Sequence, residues 1–205
     1  MSLTDRSIGT AERQRQILEA AVRVFARDGY HTSRVGDVAA EAGVAHGLVY
    51  HYFPSKAALL EAVFQETWQG LLEELRRLEG SGDSAREQLR KVAAIVLRTW
   101  RRDPDLIRVL VREVARSPQL QDQAEAVGDV LGVIERIVAR GQDAGELRSD
   151  LDPRLSAWIV WGALEELLTG WVLERLPDSD ADVTAAERTV VELLATGLVS
   201  PRRTD

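Results

Sequence analysis

The sequence predicts an all-α fold of about nine helices. Apolar residues recur three and four positions apart along most of the chain, so successive segments can each bury one face of a helix. Glycines and the pairs Asp-Pro and Ser-Pro separate these segments, and such residues end or begin helices. Two segments also start with Ser or Thr followed three residues later by Glu, which is the spacing of a capping box.

Composition indicates a globular chain without thiol chemistry. With 205 residues, 45% hydrophobic and 29% charged, the chain is long enough for a small domain and a larger one. It has no cysteine, which excludes disulfides and cysteine-based zinc sites. The first twenty residues are polar, and no later run is apolar enough to span a bilayer. We therefore expect a cytoplasmic protein without a signal peptide or membrane span.

Charge is divided unevenly between the two ends. The net charge is −7, yet residues 1–60 hold seven Arg or Lys against six Asp or Glu, a net of +1. The other 145 residues hold nineteen against twenty-seven, a net of −8. This balance argues against indiscriminate nucleic-acid binding, but a local basic cluster in the first part can still serve a short duplex site.

The stretch from Val35 to Lys56 predicts two short helices joined by a glycine turn. Gly43 ends the first helix and the second opens at Ala45, which lacks a capping hydroxyl. Because Val49 and Phe53 lie four apart and face inward, an aromatic and basic face turns outward. That face holds Gly47, Leu48, Tyr50 and His51. This is the geometry of a helix-turn-helix, whose second helix enters the major groove.

The flanking segments complete a first domain. A preceding helix ends at Gly29, and Ser33 is a candidate N-cap for the helix that begins near Arg34. After Pro54 a new helix carries Lys56 in its first turn, where a lysine can clamp a phosphate. Its apolar pattern runs unbroken to Gly80. We therefore expect domains at 1–55 and 56–205, bridged by a helix over 56–79.

The rest of the chain predicts five further helices, each with a capping or proline signal near its start. They are expected to begin at Ser84, Asp103-Pro104, Gln119, Asp152-Pro153 and Thr184. The helix from Gln119 to Ala144 has apolar residues on two sides and should lie centrally. The helix after Pro153 is hydrophobic nearly all round, which favours self-association.

The run from Ile17 to Glu66, above all GVAHGLVYHYFPSKAALL, resembles the DNA-binding domain of the TetR family of transcriptional repressors. The resemblance implies a homodimer that binds a palindromic DNA operator and is controlled by a small ligand in its carboxy-terminal domain. His51 can hydrogen-bond a base edge, and Leu48 can contact a thymine methyl. Tyr52 is read as half core and half contact. The expected DNA-binding residues are Ser33, Arg34, Ala45, His46, Gly47, Leu48, Tyr50, His51, Tyr52 and Lys56.

The segments GQDAGELRSDLDPRLSAWIVWGALEELLTGWVL and GYHTSRV are similar to the branch of that family that controls fatty-acid degradation and senses acyl-CoA. The resemblance implies an acyl-CoA effector and no cofactor. Five arginines between Arg98 and Arg112 can meet phosphates, although arginines on amphipathic helices are usually only solvated. The candidate ligand residues are Trp68, Trp100, Arg108, Leu110, Arg112, Leu131, Trp161 and Glu165.

The last two helices are the expected dimer contact, against the alternative that they complete a monomeric core. The candidate interface residues are Leu164, Leu168, Trp171, Val172, Val190, Val191, Leu194 and Leu198. Two rival functions stay open: a regulator of efflux or other catabolic genes that senses another hydrophobic molecule, and a helical scaffold without DNA binding. An enzyme or a metal site is not expected, because all three histidines lie in the first 51 residues and no nucleophile is paired with a base.

Overall fold

The computed structural model describes the backbone of residues 3–114 and 124–198, without the side chains of 3–8, 114, 124–125 and 194–196. Within these residues the all-α prediction is confirmed. The helices are α1 (Leu3–Asp28), α2 (Val35–Glu41), α3 (His46–Tyr52), α4 (Lys56–Glu79), α5 (Ala85–Arg102), α6 (Pro104–Val114), α7 (Ala124–Asp143), α8 (Pro153–Val172) and α9 (Asp180–Leu198). None of these helices is long and apolar enough to cross a membrane.

The chain divides into two compact units, and the division cuts through two helices. The first unit holds residues 1–67 and 108–122, and the second holds 68–107 and 123–205. Helix α4 therefore starts in the first unit and ends in the second, while α6 starts in the second and ends in the first. The functional division at 55/56, with 56–79 as a bridge, stays a prediction.

Most helix starts follow the expected capping chemistry. The Ser84 hydroxyl accepts from the Glu87 amide at 3.2 Å, and the Asp152 carboxylate accepts from the Leu155 amide at 2.8 Å. The start at Thr184 was wrong: α9 begins four residues earlier, after Ser179, whose hydroxyl bonds to the Asp182 carboxylate at 2.5 Å. The expected start at Gln119 lies outside the described residues.

The core of the first unit packs α1 against the two short helices. Ile17 and Val24 of α1, Val38 of α2 and Val49 of α3 are fully buried, together with Phe64 of α4. At the rim of this core, the Glu41 carboxylate accepts hydrogen bonds from the guanidinium groups of Arg23 and Arg27, which together lower its pKa, the Arg23 bond most. These ion pairs fasten the end of α2 to α1.

The second unit is built around α5, α7 and α8. Two features fix how its helices meet. The buried Gln88 amide donates to the carbonyls of Leu78 and Glu79 at 3.1 and 3.3 Å, so it satisfies backbone acceptors that the end of α4 leaves open. At Gly141 of α7, a Cβ would lie 2.5 Å from the Cβ of Ala85, so only glycine permits this close approach.

Glu79 ties the end of α4 to α7. Its side chain is 16% exposed and accepts two hydrogen bonds from Arg136, at 2.9 and 3.1 Å, and one from Arg140 at 2.8 Å. The Arg136 hydrogen bonds, aided by Arg140, hold the pKa of Glu79 below its ordinary value. Such bidentate, charge-assisted bonds are among the stronger polar contacts in proteins.

Glu79→Gln should therefore lower the free energy of unfolding by about 1–2 kcal/mol at pH 7. Because the folded-state pKa of Glu79 is lowered, its stabilisation is present above the unfolded-state pKa and is lost as pH falls through the folded-state value. The difference between Glu79→Gln and wild type should shrink toward zero in acid. Urea titrations at several pH values measure this, with the exposed Glu73→Gln on the same helix as control. A difference that stays constant in acid would contradict the assignment.

Candidate nucleic-acid interface

The turn between α2 and α3 closes with the backbone pattern of a glycine-ended helix. Gly43 takes a positive φ of 65° and donates its amide to the Ala40 carbonyl, while the Val44 amide reaches the Ala39 carbonyl at 3.0 Å. The Gln16 side-chain amide of α1 donates to the Ala42 carbonyl at 2.8 Å. The predicted helix-turn-helix is present, and α1 braces its turn.

Helix α3 presents the aromatic and basic face that the sequence predicted. Ala45, His46, Gly47 and His51 are exposed, Tyr50 is 46% exposed, and Leu48 is half-buried. The rings of His46 and Tyr50 meet edge to face with centroids 5.0 Å apart, and Tyr52, half-buried as expected, meets His51 at 5.2 Å. Ala45 sits at the N-cap with no side-chain hydrogen bond. The exposed face of α3 therefore presents imidazole and phenol groups around Gly47, which has no side chain.

The Lys56 ammonium is bound inside its own unit. Its Nζ donates to the carbonyls of Tyr30, His31 and Ser33 at 2.6, 3.2 and 2.9 Å, and it lies 4.7 Å from the centroid of the Tyr30 ring. An ammonium has three donors, and these three carbonyls occupy them. The side chain therefore ties α4 to the loop over 29–34, the α1–α2 loop. The expectation that this ammonium also contacts a phosphate stays a prediction.

Two further candidates near this loop have different outcomes. Ser33 is 4% exposed, and its hydroxyl donates to the Tyr30 carbonyl at 3.0 Å, so it is neither the N-cap of α2 nor on the surface. Arg34 is the N-cap residue instead, and its amide donates to the Asp37 carboxylate at 2.7 Å. The Arg34 side chain is exposed and stays a candidate contact.

Local sequence patterns do not predict the contacts of two residues at this loop. Tyr30 supports the ammonium of a lysine 26 positions away, and the Glu113 carboxylate from α6 lies 3.6 Å from the His31 imidazole, 82 positions away. No local spacing marks either pair, because each joins segments that only the fold brings together.

The candidate ligand residues do not form one described group. In the second unit Trp68 and Trp161 meet with ring centroids 5.3 Å apart, Trp100 stacks on Trp171, and Leu131 is buried. Glu165 is exposed, so it does not line an enclosed cavity here. Arg108, Leu110 and Arg112 fall in the first unit. Of the other arginines, Arg98 pairs with Glu187 and Arg101 with Asp180.

Most of the predicted interface residues do not lie on the surface of the monomer. Five of them lie in the core of the monomer, namely Leu164, Leu168, Trp171, Val172 and Val190. Val191 and Leu198 are half-buried, and the side chain of Leu194 lies outside the described residues. The exposed apolar side chains of α8 are instead Leu155, Trp158 and Ile159, at 63, 55 and 67%, and Leu193 of α9 is 69% exposed.

This exposed face continues into a shallow apolar groove of about 220 Å³. The groove is lined by Leu151, Asp152, Leu155, Ser156, Ile159, Val160 and Leu198. Its volume is below the roughly 300–1,000 Å³ typical of small-molecule pockets. We therefore treat it as part of a protein surface.

Comparisons with known proteins agree over nearly the whole chain. The family model "Bacterial regulatory proteins, tetR family" matches residues 17–63, and the model "YsiA-like protein, C-terminal region" matches 64–197. A fatty acid metabolism regulator protein of Bacillus subtilis is 32% identical over 185 residues, which are 89% of this chain and 94% of that protein.

Two solved structures are similar in both sequence and fold. The regulator FadR from Bacillus subtilis in complex with stearoyl-CoA superposes with a TM-score of 0.80 at 32% identity, covering 89% of this chain and 97% of that one. The fatty acid degradation regulator FadR from Bacillus halodurans gives a TM-score of 0.79 at 28% identity, covering 90% and 95%.

Lys56→Met should lower the free energy of unfolding by about 2 kcal/mol, because three carbonyls lose a charged donor. Urea unfolding followed by circular dichroism measures this, with Arg77→Met, an exposed cation on the same helix, as the control. Unchanged stability in Lys56→Met would mean that the ammonium is available for an external phosphate after all.

Proposed function

Because the chain belongs to the TetR family of bacterial regulatory proteins, we propose that it is a ligand-responsive repressor of fatty-acid metabolism genes. In this proposal a dimer without ligand holds a palindromic operator, and an acyl-CoA releases it. The protein is a transcriptional regulator and not an enzyme. Its partner is chromosomal DNA, so it works in the cytoplasm. The observation that carries the proposal is the outward aromatic and imidazole face of α3 on a described helix-turn-helix.

The α3 face supports direct reading of a major groove. Exposed His51 has ring nitrogens that can hydrogen-bond a base edge or a phosphate, and Tyr50 has a hydroxyl for the backbone. A Cβ on Gly36 of α2 would lie 3.7 Å from the His46 ring, so the His46 ring lies close to α2. Gly47 places bare backbone at the surface, which allows close approach to DNA. Leu48 contributes apolar contact.

The backbone at the beginning of α4 supplies a phosphate contact. Ser55 caps this helix, accepting from the Ala58 amide at 3.0 Å, and the helix continues for 24 residues. The first turn of a long helix carries amide donors and a partial positive charge that favour a phosphate. Lys56 contributes by fixing where that turn stands against the α1–α2 loop.

The dimer contact that we propose is the exposed apolar face of α8 and α9. Three large side chains of α8 lie on one stripe, at 155, 158 and 159, and Gly162 continues it with open space above its Cα. Leu193 adds an exposed apolar side chain from α9. Exposed apolar patches of this kind mark association surfaces. A symmetric pair would place two α3 helices on successive half-sites, about 34 Å apart.

The second unit supports an aliphatic effector. Its interior is apolar and aromatic, with the Trp68–Trp161 and Trp100–Trp171 pairs among buried leucines and valines. The similar regulator of Bacillus subtilis was solved with stearoyl-CoA, so we take this ligand as the probe. Arg98 and Arg101 serve to hold α5 against α9, and Arg102 is exposed beside them.

Fluorescence anisotropy with labelled DNA from upstream of its own gene, at stated salt, tests this function. The protein should bind, and saturating stearoyl-CoA should weaken operator affinity roughly 10-fold or more. Tyr50→Ala should weaken binding by about 5- to 30-fold, since one phosphate or base contact is lost, with helical content unchanged. Leu173→Ala, an exposed change in the second unit, is the control. An operator affinity that is unchanged in Tyr50→Ala would contradict the assignment of the α3 face to DNA binding. Release by another hydrophobic ligand, and not by stearoyl-CoA, would mean that the proposed effector is wrong.

Ile159→Glu should convert the dimer to a monomer, because it places a charge in the centre of the proposed contact, and operator affinity should fall with it. Analytical ultracentrifugation measures the mass in solution. Gln69→Glu adds the same charge at an exposed position of α4 and should leave the dimer intact. A dimer that tolerates both substitutions would place the contact elsewhere.

A further inference from the structure

The carboxylate of Glu113 is buried without a hydrogen bond at one oxygen. Glu113 is 6% exposed, and its Oε2 has no hydrogen-bond partner among the described residues. The His31 imidazole lies beside it, with its Nε2 3.6 Å from that oxygen. A buried carboxylate that lacks partners is costly, so natural chains keep one only where something offsets the cost.

Glu113 sits beside the same loop that Lys56 holds. Burial, and after it the charge of Glu113, raises the pKa of Tyr30, which places the carboxylate near the phenol as well as near His31. The Tyr30 ring in turn supports the Lys56 ammonium, and the carbonyls of Tyr30 and His31 accept its hydrogen bonds. The α1–α2 loop is therefore contacted by two side chains with opposite charge types, the Lys56 ammonium from α4 and the Glu113 carboxylate from α6.

Glu113 lies near the end of a helix that belongs to both units. It stands one residue before the end of α6, in the part of that helix that packs in the first unit, while the helix begins at Pro104 in the second unit. Because Glu113 lies on α6 itself, a shift of this helix along its axis moves the carboxylate that contacts the loop, with no flexible segment between them.

We propose that Glu113 is a positioning residue for the operator-binding unit: its buried carboxylate holds His31, and so sets the α1–α2 loop that Lys56 fastens to the start of α4. This inference rests on the proposed function, since it assigns the contact through which stearoyl-CoA changes operator affinity. His31 is the partner, and its side chain is 70% exposed, so it has no core role that would explain an effect of its own.

The test measures the linkage ratio, defined as the operator dissociation constant with saturating stearoyl-CoA divided by that without it. Glu113→Gln keeps the shape of the side chain and removes its charge. It should reduce the linkage ratio by about 2- to 10-fold toward one. His31→Gln should reduce it similarly, and the double variant should be no worse than either single one, because both remove the same contact. Glu66→Gln, an exposed change in the same unit, should leave the ratio at the wild-type value.

The outcomes separate the inference from the function beneath it. A wild-type protein that fails to bind operator, or ignores stearoyl-CoA, would overturn the proposed function. A wild-type protein that responds, with an unchanged linkage ratio in both Glu113→Gln and His31→Gln, would overturn the positioning role. A merely structural role would weaken operator binding equally with and without stearoyl-CoA, leaving the ratio unchanged. His31→Gln, on the surface, keeps the test decisive even where Glu113→Gln unfolds.

Discussion

The attachment of the Lys56 ammonium to the α1–α2 loop is the constraint on which the position of the helix-turn-helix depends. Three backbone carbonyls and one aromatic ring surround a single charged group. This arrangement joins the α1–α2 loop to the start of α4, so a movement of that loop on α4 breaks these hydrogen bonds. Since α4 also carries Glu79 at its far end, bound by two arginines of α7, both ends of this helix are fixed by charge-assisted bonds.

Among the described residues, two helices run from one unit into the other. Helix α4 passes from the first unit to the second, and α6 passes in the opposite direction. A helix transmits displacement along its axis because its hydrogen-bonded turns resist compression. Under the proposed function, a ligand that binds one arrangement of the second unit better than another shifts the population of the first unit by its difference in affinity.

Local spacing was enough to predict the helices and the outward face of α3, because both follow from a period of 3.6 residues and from capping residues within one turn. It failed where distant segments meet. The contact of Lys56 with the α1–α2 loop could not be predicted, since its acceptors at Tyr30 and Ser33 lie 26 and 23 positions away. In α8, which is apolar nearly all round, periodicity could not separate the core face at Leu164 from the exposed stripe at Trp158 and Ile159. Helix α9 starts at Asp180, where Ser179 bonds to the Asp182 carboxylate. The similar pair at Thr184 and Glu187 does not start the helix, and the Glu187 carboxylate pairs with Arg98 instead.

Hydroxyl-radical footprinting of the upstream DNA tests the central claim most directly, that two outward α3 helices read one operator and a fatty acyl-CoA removes them. The account predicts two protected patches centred about 10 base pairs apart, on one side of the duplex, that disappear together when stearoyl-CoA is added. A single patch, uniform protection along the DNA, or patches that persist at saturating stearoyl-CoA would contradict it.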